Sequence, residues 1–433
     1  MKTSFKIGLG ALLLVSAAAG VVFALVNDAR CTRILDVLDG SAGTLSEAEK
    51  TYLDMNGDGT VTYADWVRAK LNAILHPGAA QEQFYAPTAA KQLGRTAYHE
   101  DTGTLWCSLS GSGIDFRARG AQCELTLIGD SNCKIAASAP RYAVYADDQL
   151  IEDAQLTEET HTVTVPITEA GTHIRLIKLS ESASSSLGIG TLHITGGEGD
   201  DLVTAEPAKQ RLIEFIGDSI TCGYGVDGKE GDSFSTANEN AMKTYAYLTA
   251  QNLDADYSMV SYSGHGVISG YTTHGKLNKN QLVPKYYGQV GHCSALVEGK
   301  HKIHDDKWDF SVQPDLIVIN LGTNDASYTG GDAALQREFA AAYTEFLKTI
   351  REKNPSAPIF CTLGIMGQNL CEAIELAVSD YTAQTGDSNV RTLRFDIQNT
   401  GADGVGVDWH PSAQSHKKAA DRLTDEIRAW LGW

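Results

Sequence analysis

The sequence predicts an α/β protein in three parts: a three-layer α/β/α domain with a parallel sheet, an all-β sandwich before it, and a small helical calcium-loop segment near the front. Three observations carry this. From Arg211 onward, apolar strand-like runs alternate with helix-like segments, as in a parallel sheet covered on both faces. Across residues 83–200 the chain instead shows short β-branched or alternating runs, broken by Gly, Asp and Asn turns. Residues 54–65 space oxygen-bearing side chains as a cation-wrapping loop does. The 433 residues exceed one ordinary domain, and 42% hydrophobic with 21% charged residues suits packed cores.

In chain order, Lys2 and Lys6 precede an uncharged, mostly apolar run, Ile7–Val26. A basic start before such a run is expected of an export signal or a single membrane anchor over residues 1–26. Small residues Ala17–Gly20 offer cleavage sites. Either expectation puts the rest of the chain outside the cytoplasm, secreted or anchored, because the lysines stay inside. Residues 27–80 form the small unit. In it Asp54, Asn56 and Asp58 supply oxygens at the first, third and fifth loop positions, Thr60 a carbonyl, and Asp65 the twelfth-position carboxylate. Gly59 permits the sharp turn, and hard oxygen donors suit Ca²⁺. Trp66–Leu75 has helical apolar spacing, and His76-Pro77-Gly78 closes the unit.

Sandwich strands are expected at Gly113–Arg119, Cys123–Ile128, Tyr142–Ala146, His161–Pro166, His173–Lys178 and Ile189–Ile194. In the α/β domain, residues 208–433, strands are expected at Leu212–Ile216, Tyr257–Tyr262, Leu316–Leu321, Ile359–Leu363 and Thr392–Phe395. Helices are expected at Ala333–Arg351 and His416–Leu431. Eight cysteines are too few for a disulfide scaffold. Cys123 and Cys133 flank a turn-rich stretch; a disulfide and two free buried thiols both remain open. The net charge of −19 opposes nucleic acid and anionic lipid, whereas a neutral polysaccharide meets no such penalty.

The chemistry concentrates in four segments. Phe215-Ile-Gly-Asp-Ser219-Ile-Thr221 puts a serine on a tight turn after a buried strand, where its hydroxyl is exposed at the sheet end. Ser263-Gly264-His265 follows the second strand, Gly322-Thr323-Asn324-Asp325 the third, and Asp408-Trp409-His410-Pro411 precedes the last helix. A serine is a weak nucleophile until a base takes its proton, and His410 is the candidate base. The backbone N–H groups of Ser219 and Gly264 and the Asn324 amide are candidate oxyanion donors, each worth about 10²–10³ in rate. Asp408 lies two residues before His410. In an extended segment it would share a side with the imidazole and orient it, and a backbone carbonyl is the alternative. Trp409 and Tyr224 are candidate sugar-stacking residues. His265, His274, His292 and His304 show no metal-ligand spacing, and Cys222 is a packing residue.

These four segments, in order, resemble the blocks of the SGNH/GDSL hydrolases. That superfamily usually sets the acid three residues before the histidine, where this chain has Val407. The Asp-Trp-His-Pro spacing resembles carbohydrate esterase family 2. So do Gly94-Arg95-Thr96, Leu105-Trp106, Ser108–Phe116, Gly217–Gly225 and Trp308-Asp-Phe310. The resemblance covers residues 83–433. It implies an N-terminal jelly-roll and an acetyl esterase acting on acetylated plant polysaccharides or oligosaccharides such as xylan or mannan, with no catalytic cofactor. A lipid or thioester hydrolase of the same superfamily, or a glycan-binding protein with a decayed esterase site, are the alternatives. The loop at residues 54–65 resembles one dockerin repeat, which implies a cohesin-type partner for residues 27–80. The second repeat would have to be Leu38–Gly43, which lacks the ligand pattern.

Overall fold

A computed structural model describes residues 29–41, 45, 47–75, 82–197, 199 and 201–433. The apolar run of residues 1–26 and the His76-Pro77-Gly78 link lie outside the described residues, as does part of Leu38–Gly43. Among the described residues no helix is long and apolar enough to cross a membrane.

The small unit is three helices, Ala29–Asp39, Glu47–Leu53 and Tyr63–Leu75, with the predicted loop between the second and third. Cys31, Ile34, Leu53 and Ala69 close its core. It rests on the sandwich through Arg30–Glu82 (3.2 Å) and the Tyr52–Phe84 rings, 4.6 Å apart.

The sandwich consists of two antiparallel sheets. One orders Thr96–His99, Thr104–Cys107, Leu187–Thr195, Gln122–Gly129 and Thr160–Pro166, with Glu82–Tyr85 also paired to Leu187–Thr195. The other orders Val203–Ala205, Gly113–Ala118, Thr172–Lys178, Arg141–Ala146 and Gln149–Gln155, with Lys91–Leu93 beside Gly113–Ala118. Alternation decides the faces: Cys123, Leu125 and Leu127 are fully buried, while Glu124 and Thr126 between them are only partly covered. All six predicted strands are present. The others are short or polar, and Gln149–Gln155 is an exposed edge with no apolar stripe to detect.

Cys123 and Cys133 are both free, buried thiols. Cys133 packs beside Gly129, and Cys123 stands six residues earlier on the same extended strand. That is about 20 Å away, well beyond disulfide reach, so the free-thiol alternative holds.

The α/β domain has five parallel strands: β1 (Leu212–Gly217), β2 (Asp256–Ser261), β3 (Leu316–Asn320), β4 (Ile359–Ile365) and β5 (Val390–Ile397). Their order is β2-β1-β3-β4-β5. Along β3, Ile317 and Ile319 face the helices Ala333–Lys353 and Cys371–Thr385. Leu316 and Val318 face Tyr245–Asn252 and Ala413–Leu431. Burial on both faces is why residues 316–319 of the strand are an unbroken apolar run. The order reverses at β1, so a crevice opens at the carboxyl ends of β1 and its neighbours.

The two domains are locked at the opposite end of the sheet. Fully buried Arg95, from the sandwich, pairs with Glu214 of β1 at 2.8 Å and lies among the rings of Tyr287, Trp308 and Phe310. The Tyr287 hydroxyl donates to the same carboxylate at 2.9 Å. A buried charge needs this degree of pairing.

Candidate active site

After Gly217 the chain turns directly into the short helix Ser219–Cys222. Gly217 has no room for a side chain, since a Cβ would lie 2.0 Å from Thr221 Oγ1. Asp218 caps the helix, its carboxylate accepting the Ile220 N–H at 3.0 Å. Burial pushes the Asp218 carboxyl up to about 7.

The turn sets Ser219 Oγ 2.8 Å from His410 Nε2. On the far side of the ring, Nδ1 is 3.1 Å from the Val407 carbonyl oxygen. A carbonyl can only accept, so Nδ1 carries the proton and Nε2 is left to accept one from Ser219. Burial holds His410 below its ordinary value, opposed by the Val407 carbonyl and the Asp408 charge. The imidazole therefore stays neutral, and able to act as a base, into mild acid.

The structure corrects the expected orienting role of Asp408. Its carboxylate accepts the Tyr224 hydroxyl at 2.8 Å, and the carbonyl of Val407 holds the imidazole instead. That expectation rested on an extended backbone. Residues 407–410 form a tight reverse turn closed by the His410 N–H on the Val407 carbonyl at 3.0 Å, with Asp408 (φ 50°) and Trp409 (φ 62°) both in the left-handed region. The turn swings the Asp408 side chain off the ring and brings the Val407 carbonyl under it. Gly225 makes room for this: a Cβ there would lie 2.5 Å from Val407. Asp408→Asn is therefore expected to lower kcat by less than about tenfold, through the charge alone. A loss near 10⁴, the magnitude seen when a triad carboxylate is neutralised, would return the orienting role to Asp408.

Gly264 follows β2 with φ +74°, a conformation that favours glycine. Neither its N–H nor that of Ser219 has an acceptor among the described residues. Asn324 sits in the helix Thr323–Thr329 after β3. Its Nδ2 donates to the His265 carbonyl at 2.9 Å, and the other N–H has only a 3.4 Å contact with Asp218. That weakly engaged N–H is the one left to meet an oxyanion.

Tyr224 stacks on Phe234 at 3.9 Å and lies 4.3 Å from the His410 ring. Trp409 is 53% exposed beside the base, and its carbonyl accepts from Gln398 Nε2 at 2.8 Å. Among the histidines without ligand spacing, His265 is buried, with Nδ1 on the Ser263 carbonyl at 2.9 Å, and His292 stacks on Tyr286.

Two supporting carboxylates went unnoticed in the sequence. Asp325 accepts the N–H groups of Val267, Ile268 and Ser269 at 2.8–3.0 Å and so clamps the loop carrying Gly264. Its place beside Asn324 was an available signal. Glu181 had none: it comes from the sandwich and accepts the Ser263 N–H at 2.8 Å, one residue from Gly264. Glu239 in turn accepts the Glu181 N–H at 2.9 Å, and buried Lys178 donates to the Ser180 and Glu181 carbonyls. Burial raises both glutamate carboxyls and lowers the lysine ammonium.

Ser219, Gly264 and Asn324 at three adjacent strand ends, with His410 before the last helix, define an SGNH-type hydrolase fold. Residues 213–423 match the GDSL-like lipase/acylhydrolase family, and residues 92–201 match the carbohydrate esterase 2 N-terminal domain. The chain belongs to carbohydrate esterase family 2. It is 33% identical over 352 residues to the cellulase/esterase CelE of Acetivibrio thermocellus, covering 78% of this chain and 39% of that one. The chain thus spans about two-fifths of that relative's length. An acetylxylan esterase/glucomannan deacetylase of Cellvibrio japonicus is 31% identical, over 60% of this chain and 69% of its own. A family two carbohydrate esterase from Clostridium thermocellum, solved with cellohexaose, superimposes with a TM-score of 0.66 at 30% identity. It covers 79% of this chain and 99% of its own.

Proposed function

We propose that the protein is a serine esterase that removes O-acetyl groups from plant cell-wall polysaccharides or oligosaccharides of the xylan and mannan kind. The observation that carries this is the Ser219–His410–Val407 relay: nucleophile, base and tautomer-setting carbonyl within 2.8 and 3.1 Å. Ser219 Oγ attacks the acetyl carbonyl carbon as its proton passes to His410 Nε2. The oxyanion forms against the Ser219 and Gly264 N–H groups and the Asn324 amide. As the tetrahedral intermediate collapses, the ester C–O bond breaks and His410 returns the proton to the departing sugar oxygen. Water, deprotonated by His410, then releases acetate from the acyl-enzyme. Exposed Trp409 and the Tyr224–Phe234 stack offer flat faces beside the nucleophile for a sugar ring.

Acetate release from acetylated xylan and acetylated glucomannan by the whole protein, beside Ser219→Ala, tests this. Release lost in the variant supports the reading. A folded protein that releases none overturns it, and faster turnover of long-chain esters or thioesters would move the assignment to lipid or thioester hydrolysis.

The small unit extends the proposal. Asp54, Asn56, Asp58 and Asp65 with the Thr60 carbonyl would hold Ca²⁺ between two helices. Their oxygens already converge on the loop, Asp54 taking the N–H groups of Gly57, Asp58 and Gly59 at 2.6–3.2 Å. A chelator is expected to speed amide exchange within residues 47–75 and leave the other two domains unchanged; uniform indifference would count against the loop. A cohesin-type partner for residues 27–80, and an extracellular location, complete the reading.

A further inference from the structure

Away from the nucleophile, the sandwich and the α/β domain meet at a second cluster. His99 ends the sandwich strand Thr96–His99, while His301 and Asp306 belong to the long excursion between β2 and β3. His99 Nε2 is 3.2 Å from Asp306 Oδ2, and His301 Nε2 is 3.0 Å from Asp306 Oδ1. One ligand atom from each of the three lies within 4.8 Å of the others. The imidazoles are perpendicular, with centroids 5.0 Å apart.

We propose that His99, His301 and Asp306 bind a zinc-class divalent metal ion that staples the sandwich to this excursion. Ligands about 2.0–2.1 Å from a tetrahedral zinc stand about 3.3 Å from one another; the two separations seen are close to this but run to different Asp306 oxygens, so the carboxylate would turn to present one of them or bind through both. Two imidazoles bound through Nε2 to one such ion place their centroids about 5 Å apart, as these are.

The surroundings are those of a metal-bound histidine. His99 Nδ1 is 2.8 Å from Glu298 Oε1, the carboxylate–histidine arrangement that fixes the ring and leaves Nε2 as a lone-pair donor. Glu298 is held in turn by Thr102 Oγ1 at 2.7 Å and Trp106 Nε1 at 3.1 Å. It sits in the left-handed region (φ 54°), a strained place for glutamate in the turn between Val297 and His301. With neutral imidazoles the cluster carries two negative charges, which one divalent ion cancels. Mixed nitrogen and oxygen donors favour zinc over calcium. The His301 and Asp306 side chains remain 30% and 22% exposed, so solvent can reach the ion and supply a fourth ligand. Metal-free, the same residues would form an ion-pair network around a protonated His99.

The test uses the full chain without a histidine tag, in excess calcium so that the loop at residues 54–65 is saturated. Zinc content after dialysis and zinc affinity against a chromophoric chelator are measured. About one zinc per chain is expected, with slower amide exchange across residues 287–308 when it is bound. Glu298→Gln should weaken zinc about 10–100-fold. His301→Ala and Asp306→Asn should weaken it more, and His304→Ala should not change it. If His301→Ala folds poorly, Asp306→Asn, which keeps the side-chain shape, carries the test. Wild-type protein that retains no zinc, or Asp306→Asn that retains it as wild type does, would overturn the proposal in favour of the ion-pair network.

Discussion

Ser219→Ala and His410→Ala are each expected to lower kcat for acetate release by about 10⁴-fold or more, and the double variant to be no worse than either. The two side chains act as one unit. Without Oγ the imidazole has nothing to deprotonate, and without Nε2 the hydroxyl stays a poor nucleophile. Neither change should disturb the fold, because alanine fits the Ser219 turn and the Val407 turn is held through backbone bonds to Gly225 and His410. Rates on acetylated xylan and on a small chromogenic acetate ester should fall together. A His410→Ala protein within tenfold of wild type would mean that another group takes the Ser219 proton.

Asn324→Ala is expected to cost about 10²–10³ in kcat with little change in KM. The oxyanion it would meet exists only in the transition state, so substrate binding loses nothing. The substitution also removes the 2.9 Å bond to the His265 carbonyl, next to Gly264. Part of the loss would then reflect a looser loop, although the three N–H groups on Asp325 still hold it. Thermal melting of the variant beside its kinetics separates the two contributions. A raised KM at unchanged kcat would assign Asn324 to substrate binding and leave Ser219 and Gly264 as the oxyanion donors.

The sequence by itself determined the parallel sheet, most of the sandwich, and the order of Ser219, Gly264, Asn324 and His410 along the chain. The physical reason is locality. A strand buried on both faces must be a nearly unbroken apolar run, as residues 316–319 of Leu316–Asn320 are. A nucleophile turn needs Gly217 and Asp218 directly before Ser219, and an open loop beside the substrate needs glycine at position 264. Such requirements are met within a few residues, so they are visible in the chain.

Only the tertiary structure decided what orients the base. Two consecutive left-handed residues, Asp408 and Trp409, put the Val407 carbonyl under His410 and the Asp408 carboxylate on Tyr224. Nothing in the identity of either residue announces that backbone, because neither is a glycine; Tyr224 holds the Asp408 carboxylate, Gln398 the Trp409 carbonyl, and Gly225 the Val407 N–H just before them. The bracing of the Gly264 loop by Glu181, and the convergence of His99 with His301 and Asp306, likewise join residues 82 to 207 positions apart. Contacts at that separation exist only once the two domains have packed, which is why no spacing along the chain records them.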